Sequence, residues 1–582
     1  MKFDDFLYEH LGKIGKYQKI QFFLVCLPTA VVAMHALSWT FSAVEVPSRC
    51  ALPDEGVDSG FFSNSTKLKI DSCLDGEDKK VDISMFGNNG ITCKYDRCHY
   101  ANDSSMCERH VYEHSRVYTA TERWDLTCQR SWIKATVQAS YYVGQMLGSI
   151  IFGILGDKIG RKKVFCLAIV IQITCGLSLA WAPWWPLYAL FRMGTGFAHP
   201  GIFVIAVVIG TELVSPRHRR LASFITSIFF SIGQIILGLE AMFITDYRWL
   251  HIIIALPDIL FLTYYWLVPE SARWLVSRRR FEEADKILQK AAKMNKTTLP
   301  SKWWEQIDTF DTAGKIEKQD QDSSNPLSKC PFDKPAGVDE NKKHGFADLF
   351  RTPEIRKRML VAMFLWPTVA MVYYGMAMKA NVLGGDIYWN FIFAAIIEIP
   401  AVIAVYFLID RIGRRFLIAL GFFLAGTCLI VNWALSKSSL ADSIPLAIVQ
   451  MLITKGSIAG TYTAIYTYTP ELFPTSIRNT AMGCCSTIAR VGAITASYVA
   501  FWIVERFGKV YMIIPFGILA VTAALLTIIF LPETMGKHLP DTIEEVESQA
   551  RKIRILKANK VIDSRGHKLA PIDRPSVQVN DF

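Results

Sequence analysis

Long apolar stretches alternate with short polar turns along most of the chain. Each stretch is about 20 residues long, which is the length a helix needs to cross the hydrocarbon core of a bilayer. Twelve such stretches are present, near residues 20–44, 133–155, 164–184, 187–213, 221–243, 249–268, 359–380, 387–409, 416–435, 442–468, 480–503 and 509–531. The pattern predicts an all-α membrane protein with twelve transmembrane helices.

Polar motifs between these stretches repeat in the two halves of the chain. Residues 153–163 read GILGDKIGRKK, and a relaxed copy, LIDRIGRRF, spans residues 408–416. Two further repeats have similar offsets: Glu212-Leu213 with Arg219 returns as Glu471-Leu472 with Arg478, and Pro269-Glu270-Ser271 returns as Pro532-Glu533-Thr534. The repeats predict two pseudo-symmetric halves of six helices each.

The positive charge of the chain is concentrated in these turns. The net charge is +11, and the clustered cations are Lys158, Arg161, Lys162, Lys163, Arg217, Arg219, Arg220, Arg411, Arg414 and Arg415. Because Lys and Arg favour the cytosolic side of a membrane, we predict that both termini are cytosolic. Cations at the ends of apolar stretches orient a membrane protein, so a nucleic acid partner is not expected.

The pattern divides the chain into five segments. We expect a cytosolic N-terminus at 1–19, an N-terminal six-helix bundle at 20–268, a cytosolic linker with short amphipathic helices at 269–358, a C-terminal six-helix bundle at 359–531 and a cytosolic tail at 532–582. The polar composition of residues 312–341 predicts disorder in the linker. The final residues, Val579 to Phe582, are considered as a weak docking motif for a partner, with a disordered tail as the alternative.

The connection at residues 45–132 is long, polar and rich in cysteine. Its six cysteines are Cys50, Cys73, Cys93, Cys98, Cys107 and Cys128. In an oxidising extracellular compartment this density predicts three disulfides, and the sequence leaves their pairing open. Asn64 and Asn102 begin glycosylation sequons in the same loop. We therefore predict a small, glycosylated extracellular domain.

Five local motifs together resemble one family. They are WDLTC at 124–128, GDKIGRKK at 156–163, PESARWL at 269–275, TYTPELFPTSIRN at 467–479 and LPET at 531–534. The set resembles the organic cation, organic anion and carnitine transporter family of the major facilitator superfamily, and most closely its organic cation and carnitine branch. The resemblance implies the major facilitator fold and transport by alternating access. Ala272 departs from the family, which usually has proline after PES.

Arg490 is the first candidate for contact with a substrate. A charge inside a bilayer costs several kcal/mol unless it is paired or faces water, so ionisable residues within the stretches are functional candidates. In the resembled family this position is acidic in many cation transporters and arginine in anion and carnitine transporters. The guanidinium fork suits a substrate carboxylate. The alternative is an ion pair with Glu398 or Asp258.

Glu398 and Lys455 are the next candidates. Glu398 resembles the cation and carnitine branches, so we predict that it faces the cationic part of a substrate; the alternative is pairing with Lys455 or Arg490. Lys455 shares a helical stripe with Tyr462 and Tyr466. It is predicted to line the cavity, with a snorkelling lysine as the alternative.

Aromatic side chains suit quaternary ammonium groups, because ring faces attract cations. Six aromatic residues and one glutamine are the candidates for lining the cavity: Tyr142, Gln145, Trp366, Tyr373, Tyr374, Tyr462 and Tyr466. For any single one of them, packing or an interfacial position is the alternative.

Other ionisable residues in the stretches receive structural interpretations. Asp258 follows a proline and is predicted to satisfy freed backbone groups rather than to act in transport. His35 and His199 are expected to be helix-contact residues rather than proton carriers. Arg192 is expected to support packing or coupling.

The repeated turns also carry acids. We predict that ion-pair networks in the two halves lock a cytosolic gate, built from Asp157, Arg161, Glu212, Asp410, Arg414, Glu471 and Arg478. Membrane topology alone is the alternative, although it explains the cations and not the recurring acids.

These features predict a plasma-membrane secondary transporter of small organic cations or zwitterions such as carnitine. An organic anion carrier is the alternative within the family, and a ligand-binding receptor or a channel is the alternative of another class. An enzyme is not expected, since HExxH, GxSxG and P-loop motifs are lacking. No cofactor or metal site is expected, and sodium, proton or voltage coupling stays open.

Overall fold

A computed structural model of the chain places most of both predicted bundles. It describes residues 15–52, 55, 61, 68–74, 80–81, 92–100, 106–113, 118–214, 219–300, 302–304, 346–382, 385–435, 444–537, 540, 542–548 and 551. Several predicted features lie outside the described residues: the sequons at Asn64 and Asn102, the polar linker at 312–341 and the last four residues.

The first half of the chain contains six long helices. They are α1 Lys16–Leu37, α2 Ser131–Ile159, α3 Arg161–Trp181, α4 Trp185–Leu213, α5 Arg219–Phe243 and α6 Tyr247–Leu260. The second half repeats this arrangement with α7 Pro353–Met378, α8 Ile387–Ile412, α9 Arg414–Leu435, α10 Ile444–Leu472, α11 Arg478–Tyr498 and α12 Val510–Phe530. Within the described parts of the chain, eleven helical segments are long and apolar enough to cross a membrane, and the 29-residue α10 completes the set. The prediction of two six-helix halves is confirmed.

Two helices end differently from the prediction. α6 stops at Leu260, and the chain continues through a 3-10 turn at Phe261–Thr263 and a short helix at Tyr264–Leu267. Pro257, inside α6, has no N–H to donate, which removes a backbone hydrogen bond near this end. α11 continues beyond Tyr498 through a π turn at Val499–Ile503. The predicted spans at 249–268 and 480–503 therefore each contain an irregular turn.

The repeated DxxGR turns, Asp157 to Arg161 and Asp410 to Arg414, have the same backbone geometry in both halves. Gly160 precedes α3 with φ 105°, and Gly413 precedes α9 with φ 99°, a region that favours glycine. A Cβ at Gly160 would also lie 2.3 Å from a carboxylate oxygen of Glu270, and one at Gly413 would lie 2.7 Å from Glu533. Both turns therefore require glycine, for conformation and for space.

The glutamates of the PES and PET motifs cap the helices that follow these turns. Glu270 Oε1 accepts hydrogen bonds from the main-chain N–H groups of Arg161 and Lys162 at 2.8 and 3.1 Å. Glu533 accepts in the same way from Arg414 and Arg415, each at 3.0 Å. A carboxylate at a helix N-terminus satisfies free N–H groups and matches the positive end of the helix dipole. The sequence repeat thus encodes a repeated cap.

The two halves meet along two pairs of helices, α5 with α8 and α2 with α11. Small residues allow α11 to approach its neighbour α7 as well. A Cβ on Gly492 would lie 2.2 Å from the carbonyl oxygen of Pro367. This close packing positions the middle of α11, which carries Arg490, beside the aromatic face of α7.

The connection between α1 and α2 forms a small β-structure, and we call this side of the bundle the disulfide end. Strands β1 Ser48–Cys50 and β5 His110–Tyr112 pair antiparallel, while β2 Leu68–Leu74 pairs with β3 Lys80–Val81 and β4 Thr92–Tyr100. The opposite side, where Gly160 and Gly413 lie, is the glycine-turn end.

The described part of the loop contains two disulfides, where three were predicted for the whole loop. Cys50 bonds with Cys107, and Cys98 bonds with Cys128. Cys73 and Cys93 are register partners on β2 and β4, and their side chains lie outside the described part of the loop. The backbone therefore places the remaining two cysteines opposite each other.

Two short helices follow the first half at the glycine-turn end, Ala272–Ser277 and Phe281–Asn295. Their buried residues pack with Tyr17 at the start of α1 and with Trp303. Asn295 Oδ1 also accepts a hydrogen bond from the Tyr17 N–H at 3.0 Å. These helices lie against the first bundle.

Candidate functional site

Glu398 lies in the middle of α8 and connects the two halves of the molecule. Its Oε2 atom accepts hydrogen bonds from Ser231 Oγ at 2.9 Å and Gln234 Nε2 at 2.8 Å, both on α5. It also accepts one from the Tyr373 hydroxyl of α7 at 3.1 Å. Ser231 and Gln234 are three positions apart, so they share one face of α5. The carboxylate therefore joins the first bundle to the second.

Lys455 of α10 balances the charge of Glu398. Its Nζ lies 2.9 Å from Glu398 Oε1, and both side chains are buried, with 1% and 3% of their surface exposed. The same Nζ lies 3.5 Å from the centre of the Tyr373 ring, which adds a cation–π contact. The structure thus shows the pairing with Lys455 that was considered as the alternative for Glu398, and its contact with a substrate cation stays a prediction.

Arg490 of α11 has a different environment. Its guanidinium interacts electrostatically with Tyr374, Tyr462 and Tyr466, and its Nε has no hydrogen-bond partner among the described residues. Neither Glu398 nor Asp258 pairs with it, since Glu398 contacts Lys455 and Asp258 lies beside His35. Arg490 is therefore a buried cation without a carboxylate partner among the described residues.

The predicted aromatic residues form one continuous cluster around these charges. Trp366 is fully buried and donates its indole N–H to Thr469 Oγ1 at 3.1 Å, whereas Tyr466 is 40% exposed. Adjacent ring centroids are separated by 4.7 Å for Trp366 and Tyr466, 5.0 Å for Tyr142 and Tyr374, 5.1 Å for Tyr373 and Tyr374, and 5.5 Å for Tyr462 with Tyr373 and with Tyr466. The contact between Tyr142 and Tyr374 crosses from α2 to α7, so the cluster spans both halves.

Gln145 is buried beside this cluster, and its side-chain amide lacks hydrogen bonds in the described structure. It lies one helical turn after Tyr142 on α2, on the same face. Its side chain is fully buried, and neither its amide oxygen nor its amide nitrogen has a hydrogen-bond partner in the described structure. Because an unsatisfied buried polar group costs about 1–3 kcal/mol, this amide is suited to bind a polar ligand.

The predicted gate residues of the first half form a network at the glycine-turn end. The Arg161 guanidinium lies 3.1 Å from Asp157 Oδ1 and 3.4 Å from Glu212 Oε1. Arg278 also donates to the main-chain oxygen of Asp157 at 2.7 Å. These contacts join α2, α3 and α4 within one bundle.

The second half repeats this network. Arg414 lies 2.8 Å from Asp410 Oδ1 and 3.2 Å from Glu471 Oε2. Arg478 is not part of this network, since it donates to the main-chain oxygen of Phe473 at 3.4 Å and its Nη2 has no hydrogen-bond partner among the described residues. The ion pairs described at this end join residues within each half, so a lock between the halves stays a prediction.

The ion pairs described between the halves lie at the disulfide end. Lys134 of α2 contacts Glu505, beyond α11, at 2.9 Å, and Lys379 after α7 contacts Glu45 after α1. The sequence reasoning missed these pairs, because all four residues lie at the ends of apolar stretches, where charge is expected. It also missed Ser231 and Gln234, whose spacing of three was the available signal.

Comparisons with known proteins identify the family. The model of the family described as "Sugar (and other) transporter" matches residues 89–546, which is more than half of the chain. The chain belongs to this family. Its relatives include the organic cation transporter protein of Drosophila melanogaster, which is 35% identical over 95% of this chain and 96% of that protein. Organic cation/carnitine transporter 2 of Homo sapiens is 29% identical over 92% of each chain. The resemblance to this group of the major facilitator superfamily is confirmed.

Solved structures show the same fold. The xylose transporter XylE from E. coli, in an inward open conformation, aligns with a TM-score of 0.53 and 19% identity over 72% of this chain and 90% of that chain. The chain of this protein is therefore a membrane transporter with the major facilitator fold. Because its relatives are transporters, it is not an enzyme.

Proposed function

We propose that this transporter carries small organic cations or zwitterions, of which carnitine is the model, across the plasma membrane by alternating access with both termini in the cytosol. The observation that carries the proposal is Arg490, a buried guanidinium without a carboxylate partner, next to a cluster of aromatic rings. A zwitterion supplies both missing partners: a carboxylate for the guanidinium and an ammonium group for the rings. The names of the two relatives above support this substrate class.

The charge of the site favours a carboxylate on the substrate. Arg490 and Lys455 contribute two positive charges and Glu398 contributes one negative charge, so one positive charge stays unbalanced. A simple monovalent cation would increase this imbalance, whereas a zwitterion places its carboxylate on Arg490. The ammonium group then lies against tyrosine rings such as those of Tyr462 and Tyr466.

The same imbalance supports the second candidate, an organic anion carrier. An anion would neutralise Arg490 without needing an ammonium site. Glu398 disfavours this candidate, because its carboxylate occupies Lys455 and so leaves Arg490 as the one unbalanced cation beside the aromatic cluster. The two candidates differ in whether the aromatic cluster is used.

Uptake into cells that express the chain tests the proposal. Labelled carnitine and labelled tetraethylammonium are compared with and without sodium, and with the membrane depolarised, which also tests sodium coupling. Carnitine uptake that saturates and shows counterflow supports a carrier; uptake without counterflow would favour a channel, and binding without uptake a receptor. If neither substrate is transported, the organic anion carrier replaces the carrier of cations or zwitterions as the favoured candidate.

The variant Arg490→Ala tests whether Arg490 binds the carboxylate of the substrate. Loss of a charged hydrogen bond of about 1.5–3 kcal/mol should lower carnitine uptake roughly 10- to 100-fold while tetraethylammonium uptake is retained. Arg490→Lys keeps the charge but not the guanidinium fork, so its carnitine uptake should lie between that of the wild type and that of Arg490→Ala. An equal loss for both substrates would contradict the assignment of Arg490 to a carboxylate.

A further inference from the structure

A second cluster of buried ionisable groups lies within the first bundle and has no part in the site above. Asp258 of α6 has its Oδ2 atom 3.5 Å from His35 Nε2 of α1, and both side chains are 0% exposed. Gln172 of α3 donates its amide to the same oxygen at 2.8 Å. Three helices therefore enclose a carboxyl and an imidazole.

The cluster is incompletely satisfied. Asp258 Oδ1, His35 Nδ1 and Gln172 Oε1 have no hydrogen-bond partner in the described structure. An ionised carboxylate in such surroundings costs several kcal/mol unless it is paired with a cation or carries a proton. A single added proton removes this cost, either as a neutral carboxyl or as an imidazolium beside a carboxylate.

Among the described residues, no lysine or arginine forms an ion pair with Asp258. Arg192 of α4 donates to the main-chain oxygen of His35 at 2.7 Å, to Ser38 Oγ at 3.0 Å and to Gln138 Oε1 at 2.6 Å. Those acceptors are all neutral. His251 of α6 makes its contacts with Tyr188 at 2.6 Å and Ser42 at 3.1 Å.

We propose that His35 and Asp258 together bind one proton, taken from solvent water, and that its binding and release accompany the transport cycle. The pair is sealed, because α3 closes over it: a Cβ on Gly176 would lie 2.7 Å from His35 Cε1. A proton can enter or leave only when α1, α3 and α6 separate. The pair thus becomes a site for a coupling proton, in place of the helix-contact role that the sequence indicated for His35.

Infrared spectroscopy of the purified full chain tests proton binding without any substrate. The difference spectrum between acidic and alkaline buffer should contain a carboxyl or imidazolium signal that is lost in Asp258→Asn. His199→Gln is the matched control, since His199 is a buried histidine of α4 whose ring bonds with Tyr141 at 2.8 Å, and it should keep the signal. Identical spectra for wild type and Asp258→Asn would overturn the proposal. If Asp258→Asn does not fold, His35→Gln serves in its place.

Transport in proteoliposomes tests the coupling, a step that rests on the proposed function. An inward gradient of one pH unit supplies at most about a tenfold driving force, and wild-type net uptake of carnitine should respond to it. Asp258→Asn should keep carnitine counterflow but lose the response to the gradient. A response unchanged in this variant would overturn the coupling. Absence of counterflow in the wild type would instead contradict the proposed function and leave the infrared result to decide on the proton site.

Discussion

At the scale of single residues, the partner of each buried charge decides its role. Glu398 and Lys455 have each other, whereas among the described residues Arg490 has no carboxylate partner and the Gln145 amide has no hydrogen-bond partner. A buried ion pair holds helices in place, because removing one member leaves an uncompensated charge, while an unmatched cation is available to a ligand. The pair therefore holds α8 against α10, and the unmatched charge of Arg490 supports its proposed contact with a substrate.

Removing one member of the Glu398 and Lys455 pair should destabilise the protein. Lys455→Met leaves a buried carboxylate without its cation, a change that costs about 3–5 kcal/mol. The double variant Lys455→Met/Glu398→Gln removes both charges and should recover most of that loss. Thermal unfolding of the purified chain measures both, with Lys286→Met on an exposed helix face as the control. A single variant as stable as the wild type would show that the pair contributes nothing.

At the scale of elements, the same carboxylate cap occurs at a helix start in each half. Glu270 and Glu533 occupy equivalent positions and each accepts from two free N–H groups of the following helix. Burial would raise the pKa of Glu533, but the main-chain N–H groups of Met535, Arg414, Arg415 and Thr534 lower it below its ordinary value of 4.5. The folded chain therefore holds the carboxylate in its charged form.

The lowered pKa of Glu533 predicts a pH dependence of stability. The folded state binds a proton on Glu533 more weakly than the unfolded state does. The contribution of the Glu533 carboxylate to stability is therefore present above pH 4.5 and is lost as the pH falls through the folded pKa. Glu533→Gln should lose roughly 1 kcal/mol at neutral pH, as for other helix caps, and should flatten the acid side of the unfolding curve. Glu544→Gln, an exposed carboxylate nearby, serves as the control. An unchanged acid limb in Glu533→Gln would rule out this contribution.

At the scale of the whole molecule, the ion pairs described between the halves lie at the disulfide end, while those at the glycine-turn end stay within each half. The contacts therefore close one end of the cleft between the bundles. Alternating access requires these pairs to break and the halves to rock, which shifts the balance between two global states.

Charge reversal at the disulfide end tests this arrangement. Lys134 and Glu505 are 1% and 10% exposed, so Lys134→Glu should leave two buried like charges and reduce carnitine uptake roughly tenfold or more. The exchanged pair Lys134→Glu/Glu505→Lys should restore uptake. The same reversal at Glu45 and Lys379, which are 32% and 14% exposed, should have a smaller effect. Failure of the exchanged pair to recover would show that Lys134 acts through other contacts.

The sequence by itself determined the number of helices, the duplication and the family, because apolar length and repeated polar turns are local properties that need no partner. It also selected Arg490, Glu398, Lys455 and the aromatic residues, since a charge or a ring inside an apolar stretch is visible without a fold.

Only the tertiary structure decided which charge meets which. Pairing depends on the rotation and depth of helices that are far apart along the chain, so Glu398 could be matched with Lys455 or Arg490 until α8 and α10 were brought together. The same holds for His35 and Asp258, which are separated by more than two hundred residues and become a pair only when α1 and α6 pack. Helix periodicity fixes which residues share a face, and packing alone fixes what that face contacts.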